Sequence, residues 1–265
     1  MPDSDESYDV HALRYFSRPA SKSHEFFRYD IYGGADEPIR MDYFFWLLRS
    51  HRRTVLVDCG FHRERAAAKN RLQDTDPAEL LARMDVAPVE VDHVIISHMH
   101  YDHVGNLELF PNATFSIARE EFNYWNGPYG GRELETFLVD PEERRIVKTL
   151  AEQERLVFVE GTAEPVPGVR ATTVGGHTAG QMIVEINTDA KQIVLASDAM
   201  HYYEEVERDR PYNLFNNLGE MYRTYDMLRE FGSRHDTVVV AGHDPRVGEM
   251  FSLAQPDCYD LNAPV

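Results

Sequence analysis

Between Ser97 and Gly105 the chain reads Ser-His-Met-His-Tyr-Asp-His-Val-Gly, which places three imidazoles and a carboxylate at His98, His100, Asp102 and His103. Imidazole nitrogen and carboxylate oxygen are the donors that zinc-like divalent ions take. The preceding segment, Val91-Asp92-His93-Val94-Ile95-Ile96, is short, apolar and β-branched. That composition predicts a buried strand that delivers the run at its C-terminal end. Residues two apart on an extended chain point the same way, so His98, His100 and Asp102 are expected to converge on one point. His103 follows at once, and Gly105 is expected to let the backbone turn away beneath it.

The same design recurs along the chain, an apolar strand and then a turn holding a histidine or an aspartate. It appears at Asp58 after Thr54-Val55-Leu56-Val57, and at His177 in Gly175-Gly176-His177-Thr178. It returns at Asp198 after Gln192 to Ala196 and at His243 in Gly242-His243-Asp244 after Thr237 to Ala241. Ligands on strand ends can meet at one edge of a sheet. An aspartate at a strand end, as at Asp58, suits either an orienting role beside a site or the capping of the next turn. His11, His24, His51, His62, His93 and His235 stand outside these turns, and structural or surface roles are expected for them.

The elements that must position these residues are legible in outline. Strands are predicted within Tyr8 to Phe16, Asp42 to Leu48, Ala113 to Ile117, Arg155 to Val159, Val169 to Val174 and Gln181 to Ile186. The Thr237 to Ala241 segment is predicted as the last strand. Helices are predicted from Pro77, where proline suits a first turn, over Arg119 to Trp125 and Pro141 to Glu154, and within Asn216 to Phe231. Tyr124 to Gly131 is an aromatic and glycine-rich loop that either walls a pocket or covers the sheet. No repeat, low-complexity tract or linker divides the chain, so residues 1–265 are expected to form a single α/β domain.

Composition narrows the function classes. Against 45 acidic residues stand 27 lysines and arginines, a formal charge of −18 with no basic patch, which disfavours nucleic acid as a partner. Cys59 and Cys258 form no CxxC or zinc-finger spacing, so thiol chemistry is not expected and each reads as a small buried filler. The opening residues are acidic and polar and no stretch reaches membrane-spanning length, so a cytoplasmic enzyme without a membrane partner is expected.

With these residues in view, the chain resembles the metallo-β-lactamase superfamily, whose signature His-x-His-x-Asp-His stands here as His98-Met99-His100-Tyr101-Asp102-His103. The later Gly-His-Thr, Asp198 and Gly-His-Asp follow in the superfamily's order. Within it the chain looks most like the N-acyl homoserine lactonase family, over roughly residues 42 to 250. The resemblance implies a four-layer αββα sandwich with two metal ions at the edge of the paired sheets. It implies that His98, His100 and His177 hold one ion, that Asp102, His103 and His243 hold the second, and that Asp198 bridges them. Asp58 would then accept a hydrogen bond from a ligand imidazole. Zinc is the first choice of metal, with manganese, iron and cobalt as alternatives.

The activity so implied is hydrolysis of a lactone or related cyclic ester by a metal-bridging hydroxide, with Asp102 shuttling the proton and a small molecule as the substrate. Where the lactonases commonly place a tyrosine, three residues after the bridging aspartate, this chain has His201, with Tyr202 next. Either side chain is a candidate for the substrate carbonyl, and Arg208, Arg210 and Tyr212 follow in the next loop. Rival readings on the same scaffold are a thioesterase, a cyclic amide hydrolase and, less favoured, a di-iron oxidoreductase. A homodimer is compatible with the family and with the aromatic content.

Overall fold

The apolar runs of the sequence become strands, and the computed structural model describes residues 6–72 and 74–265. The first half of the chain contributes β1 (Asp9–Ser21), β2 (Pro38–Arg49), β3 (Thr54–Val57), β4 (His93–Ile95), β5 (Thr114–Ala118) and β6 (Leu156–Val159). The second half contributes β7 (Thr162–Val166), β8 (Val169–Thr173), β9 (Met182–Asn187), β10 (Gln192–Ser197) and β11 (Thr237–Ala241). A terminal hairpin adds β12 (Phe251–Gln255) and β13 (Cys258–Pro264). Among the described residues these build an eight-stranded sheet, β12-β13-β1-β2-β3-β4-β5-β6, and a five-stranded sheet, β11-β10-β9-β8-β7.

Burial shows how the sheets are stacked. In β2 every residue from Met41 to Leu48 is buried, as is every residue of β9 from Met182 to Ile186. A strand buried on both faces needs a layer on each side. The other sheet supplies one layer and helices supply the other, giving a four-layer αββα sandwich. The helix Leu218–Gly232 turns Met221, Tyr225, Leu228 and Phe231 inward, a stripe at helical spacing, and lies against β11. The helix Pro141–Glu152 opens on Asp140, whose carboxylate accepts from Glu142 N–H at 2.9 Å, and buries Ile146, Val147 and Leu150 beside β6. The helix Pro77–Arg83 starts at Pro77, capped by Asp76.

Strands β3 to β6 run parallel, and β10 runs parallel to β11. Parallel strands bring their C-terminal ends to one edge, where ligand-bearing turns can meet. At that edge Met182 N–H of the smaller sheet donates to Ser97 O at 2.9 Å, and the hydroxyls of Ser97 and Ser197 lie 2.8 Å apart. Both sheets therefore grip the residue that precedes the histidine run.

Three expectations need correction. β11 is not the last strand: β12 and β13 follow and complete the larger sheet against β1. β12 is exposed after Phe251, Leu253 included, so its apolar residues mark no buried face that would announce an edge hairpin. The ligand run is also not extended beyond the strand. β4 ends at Ile95, and Tyr101–Val104 forms a helical turn, so Asp102 does not follow His98 and His100 to one point.

Gly105 adopts an ordinary helical φ of −67°, so the turn itself does not require a glycine. Close approach does, because a Cβ there would run into the backbone of Phe61 and His62. The substitution Gly105→Ala is thus expected to force the ligand turn away from the Phe61–His62 backbone and to cost about 2–3 kcal/mol. Urea denaturation would measure the loss, and a change within experimental error would show that the two segments do not need that contact.

Candidate metal centre

Each inward-facing imidazole is aimed by what its other nitrogen touches. His243 Nδ1 lies 2.7 Å from Asp42 O, and His177 Nδ1 lies 2.9 Å from Leu214 O. A ring nitrogen against a carbonyl must carry the proton, which leaves Nε2 as a lone-pair donor. His103 donates from Nδ1 to Asp58 Oδ2 at 2.8 Å. His98 Nδ1 meets the Ser97 hydroxyl at 3.0 Å. His100 is turned the other way, and its Nδ1 faces His177 Nε2 at 2.9 Å, an approach that needs a proton or a cation between the two.

Asp198 stands at the centre. Its Oδ2 lies 3.6 Å from His98 Nε2 and 3.4 Å from His177 Nε2, while its Oδ1 lies 3.3 Å from His103 Nε2 and 3.1 Å from His243 Nε2. One oxygen faces each half of the cluster. His98, His100, His177 and Asp198 offer donor atoms within 4.8 Å of one another, and Asp102, His103 and His243 do the same. Asp102 Oδ2 sits 3.8 Å from His103 Nε2 and 3.9 Å from His243 Nε2. The helical turn thus assigns Asp102 and His103 to one half and leaves His98 and His100 to the other.

These donors are starved of partners. The Nε2 atoms of His98, His103 and His243 and Asp198 Oδ1 are fully buried and make no aligned hydrogen bond. Buried polar atoms are ordinarily satisfied, and nitrogen and oxygen donors that converge without hydrogen bonds to one another fit a cation. An all nitrogen and oxygen donor set matches two divalent ions of hard to intermediate character.

Electrostatics carry the same message. Burial drives His98 and His177 well below the ordinary imidazole range and takes His100 down to about 3, so these three are neutral donors. Burial opposes charge on His103, but the Asp198, Asp58 and Asp102 carboxylates outweigh it and hold the group well above its usual value. His201 is likewise raised to about 9, burial being overcome by Asp198 and Glu205. Burial penalises ionised Asp198, yet His103, His243 and His201 hold it well below the usual carboxylate range. The carboxylates demand positive charge, which protons on imidazoles supply here and divalent ions supply with more charge per site.

Beneath the site, Asp58 ties its parts together. Its carboxylate accepts from Ser97 N–H at 2.8 Å, from the Ser97 hydroxyl at 2.7 Å and from His103. The orienting role is the one observed. The β1–β2 register slips between Arg14 and Phe16, and Tyr15 at that slip donates its hydroxyl to Asp102 O at 2.7 Å. Gly176 takes φ +90° in the turn that presents His177, a conformation that glycine alone enters freely.

A family model for the metallo-beta-lactamase superfamily matches residues 42–243. The chain belongs to the metallo-beta-lactamase superfamily. Among curated proteins it is 27% identical over 179 residues to the N-acyl homoserine lactonase AttM of Rhizobium radiobacter, a match covering 65% of each chain. It is 24% identical over 217 residues to the N-acyl homoserine lactonase of Bacillus cereus, covering 75% of this chain and 80% of that one. The fold superposes with a TM-score of 0.72 at 18% identity on an N-acyl homoserine lactone hydrolase solved with the product N-hexanoyl-L-homoserine at its catalytic metal centre, over the whole of both chains. AidC, a dizinc quorum-quenching lactonase, gives a TM-score of 0.72 at 17% identity over 92% of each chain.

On this superfamily scaffold the remaining candidates separate. His201 is buried, with Nε2 3.1 Å from Asp198 Oδ2 and its ring stacked 3.6 Å from Tyr212. Tyr202 instead packs on Phe26, at 5.6 Å between centroids, and lines a cleft of about 410 Å³ together with Arg208 and Asp244. Arg210 pairs with Glu204 at 2.6 Å. His93 binds Thr114 and Ser116 hydroxyls within the sheet, both at 2.7 Å, in the structural role expected of it. Cys59 and Cys258 are free and buried.

Glu121 had no signal in the sequence, being one of two adjacent glutamates in the helix Arg119–Asn126. It is fully buried and accepts from Met99 N–H at 2.8 Å, Gly180 N–H at 2.8 Å and Trp125 Nε1–H at 2.7 Å. One carboxylate thereby joins the loop of His98 and His100 to the loop after His177. Only its spacing of four from Trp125 could have hinted at a shared inward face. Replacing Glu121 with Ala is expected to orphan three buried donors and to lower stability by about 3 kcal/mol or more. Chemical denaturation tests this, and a loss below about 1 kcal/mol would show that the three donors find other partners.

Proposed function

We propose that this protein is a dinuclear metal-dependent hydrolase that opens a lactone or related cyclic ester. The observation that carries the reading is the division of Asp198, one carboxylate oxygen toward each of two separate donor groups. The lactone class is taken from the AttM and Bacillus cereus relatives, which are named for it. Zinc is the preferred metal, since the donors are imidazole and carboxylate and a neighbour of the same fold is a dizinc enzyme. Residues 1–265 act as one hydrolase domain. Two free, buried cysteines suit a reducing compartment, and we assign the enzyme to the cytoplasm.

In this reading His98, His100 and His177 would hold one ion, Asp102, His103 and His243 would hold the other, and Asp198 would serve both. The bound ions would supply a water of lowered pKa, near about 7, and polarisation of the carbonyl. The chain's own residues do the rest. Asp102 takes the attacking water's proton on a carboxylate oxygen and returns it to the ring oxygen as the acyl C–O bond breaks. Water is thus added across that bond, and a hydroxy acid leaves. His201 presents Nε2 beside Asp198, where an N–H can stabilise the carbonyl oxygen as negative charge develops. Stacking on Tyr212 and the approach of Glu205 Oε1 to Nδ1, at 3.4 Å, hold the ring in that attitude. We assign the carbonyl contact to His201 rather than Tyr202 because Tyr202 is packed against Phe26.

A pH-indicator assay on lactones, cyclic amides and thioesters tests the activity directly, with faster turnover of cyclic amides or thioesters than of every lactone as the contrary result. Asp198→Asn should reduce bound metal from about two ions per chain and lower activity with it. Normal stoichiometry with normal turnover would refute the bridge. His201→Phe should lower kcat about a hundredfold with metal content unchanged, whereas Tyr202→Phe should stay within about twofold. The reverse order would move the carbonyl contact to Tyr202.

A further inference from the structure

Three cationic side chains gather beside the second donor group. On that side Tyr43 packs its ring 4.7 Å from that of His243, and Tyr101 immediately precedes Asp102. Arg71 lies within electrostatic reach of both phenols and of Arg18, and its guanidinium donates to the Tyr101 hydroxyl. Lys69 stands over the same ring, with Nζ 5.3 Å from the centroid. Arg18 Nε–H donates to the Tyr43 hydroxyl at 2.9 Å and is answered by buried Glu25, also at 2.9 Å. Among the described residues neither Lys69 nor Arg71 forms an ion pair within 4.0 Å.

The acids nearby are directed elsewhere. Glu133 borders the same surface hollow as Lys69 without pairing with it, and Asp102 turns its carboxylate to His103 and His243. Lys69 Nζ donates to Phe137 O at 2.7 Å, whereas Arg71 keeps a buried Nε–H that has no acceptor. Like charges held close together, with a donor left unfilled, fit an anion that the chain itself does not provide. The edge of a guanidinium, Nε with one Nη, takes the two oxygens of a carboxylate in parallel, which adds direction to charge. Backbone order supports that use, since Arg71 N–H donates to Ala66 O at 3.0 Å just past the helix Arg63–Ala67. We infer that the enzyme acts on lactones that carry a carboxylate, which Arg71 takes on its Nε edge beside the second donor group while Lys69 adds charge at Tyr101. This rests on the hydrolase reading given above and specifies its substrate class.

Two measurements on the zinc-loaded protein keep the two readings apart, each repeated in Arg71→Met, or in Arg71→Gln should the methionine variant fail to fold. In the first, γ-butyrolactones bearing a carboxymethyl, carboxyethyl or carboxypropyl arm are compared by kcat/KM with their neutral carboxamides. At the best arm length the carboxylate should lead by about tenfold or more, and the Arg71 variant should narrow that lead about fivefold or more. Carboxamides opened as fast at every arm length would overturn the inference. So would a lead untouched by the substitution, because the metal ions alone would then account for it.

The second measurement needs no turnover: glutarate, adipate and butyrate are titrated by calorimetry. The better dicarboxylate should bind about tenfold tighter than butyrate, and in the Arg71 variant that advantage should fall to about twofold, the statistical value for two equivalent ends. This result supports the anion site even if no lactone is opened, an outcome that would sink only the hydrolase reading. An advantage of only about twofold in the unaltered protein, or one that survives the substitution, overturns the site whatever the enzyme hydrolyses.

Discussion

A carboxylate buried among imidazoles is the interaction from which the rest of this structure follows. Asp198 has five imidazole nitrogens within 3.1–3.6 Å, those of His98, His103, His177, His201 and His243. Removing an ionised carboxylate from water costs several kcal/mol unless positive charge meets it. Burial keeps His98, His100 and His177 neutral, so the charge must come from imidazoles such as His103 and His201, which the carboxylates hold protonated, or from cations. Protons on those imidazoles answer Asp198 in part, and divalent ions shared among the donors would answer it with more charge per site. Stability and chemistry share that requirement, because the charge that neutralises Asp198 is also the charge that would activate water and hold a carbonyl.

The scaffold reads as the means of holding these groups together without hydrogen-bonding them away. Histidines present one nitrogen inward because the other is engaged, by the Asp42 and Leu214 carbonyls and by Asp58. Two further carboxylates work on backbone rather than on imidazole alone. Asp58 binds the end of the larger sheet at Ser97, and Glu121 joins the loops around Met99 and Gly180. Charge-assisted bonds from backbone N–H groups are short and directional, so they position loops closely. Such supports matter in a site whose ligands come from strand ends far apart in sequence.

The substrate side of the site is built on different principles. His201 is stacked on Tyr212 and flanked by Asp198 and Glu205, which makes it a rigid group rather than a mobile one. The adjoining pocket combines aromatic walls at Tyr124, Trp125 and Phe215 with polar members at Glu135, Thr178 and Asn216. A metal centre of this kind can attack many esters, so selection falls to the shape of the surrounding wall.

The sequence by itself determined which atoms could bind metal and in what order they arrive. The donors of His98-Met99-His100-Tyr101-Asp102-His103 are set by residue type, and strand-ending turns at Asp58, His177, Asp198 and His243 are local features of chain chemistry. The apolar runs likewise marked most strands. Tertiary structure alone decided how the donors divide, because the helical turn Tyr101–Val104 rotates Asp102 away from the alternation that an extended chain would impose. It alone singled out Glu121 from exposed Glu120, and His201 from its neighbour Tyr202, since which side chain faces the site depends on packing partners over a hundred positions apart in some cases. The hairpin β12–β13 was hidden for the same reason: its place in the sheet comes from pairing with β1 at the far end of the chain, and no local pattern records a partner that distant.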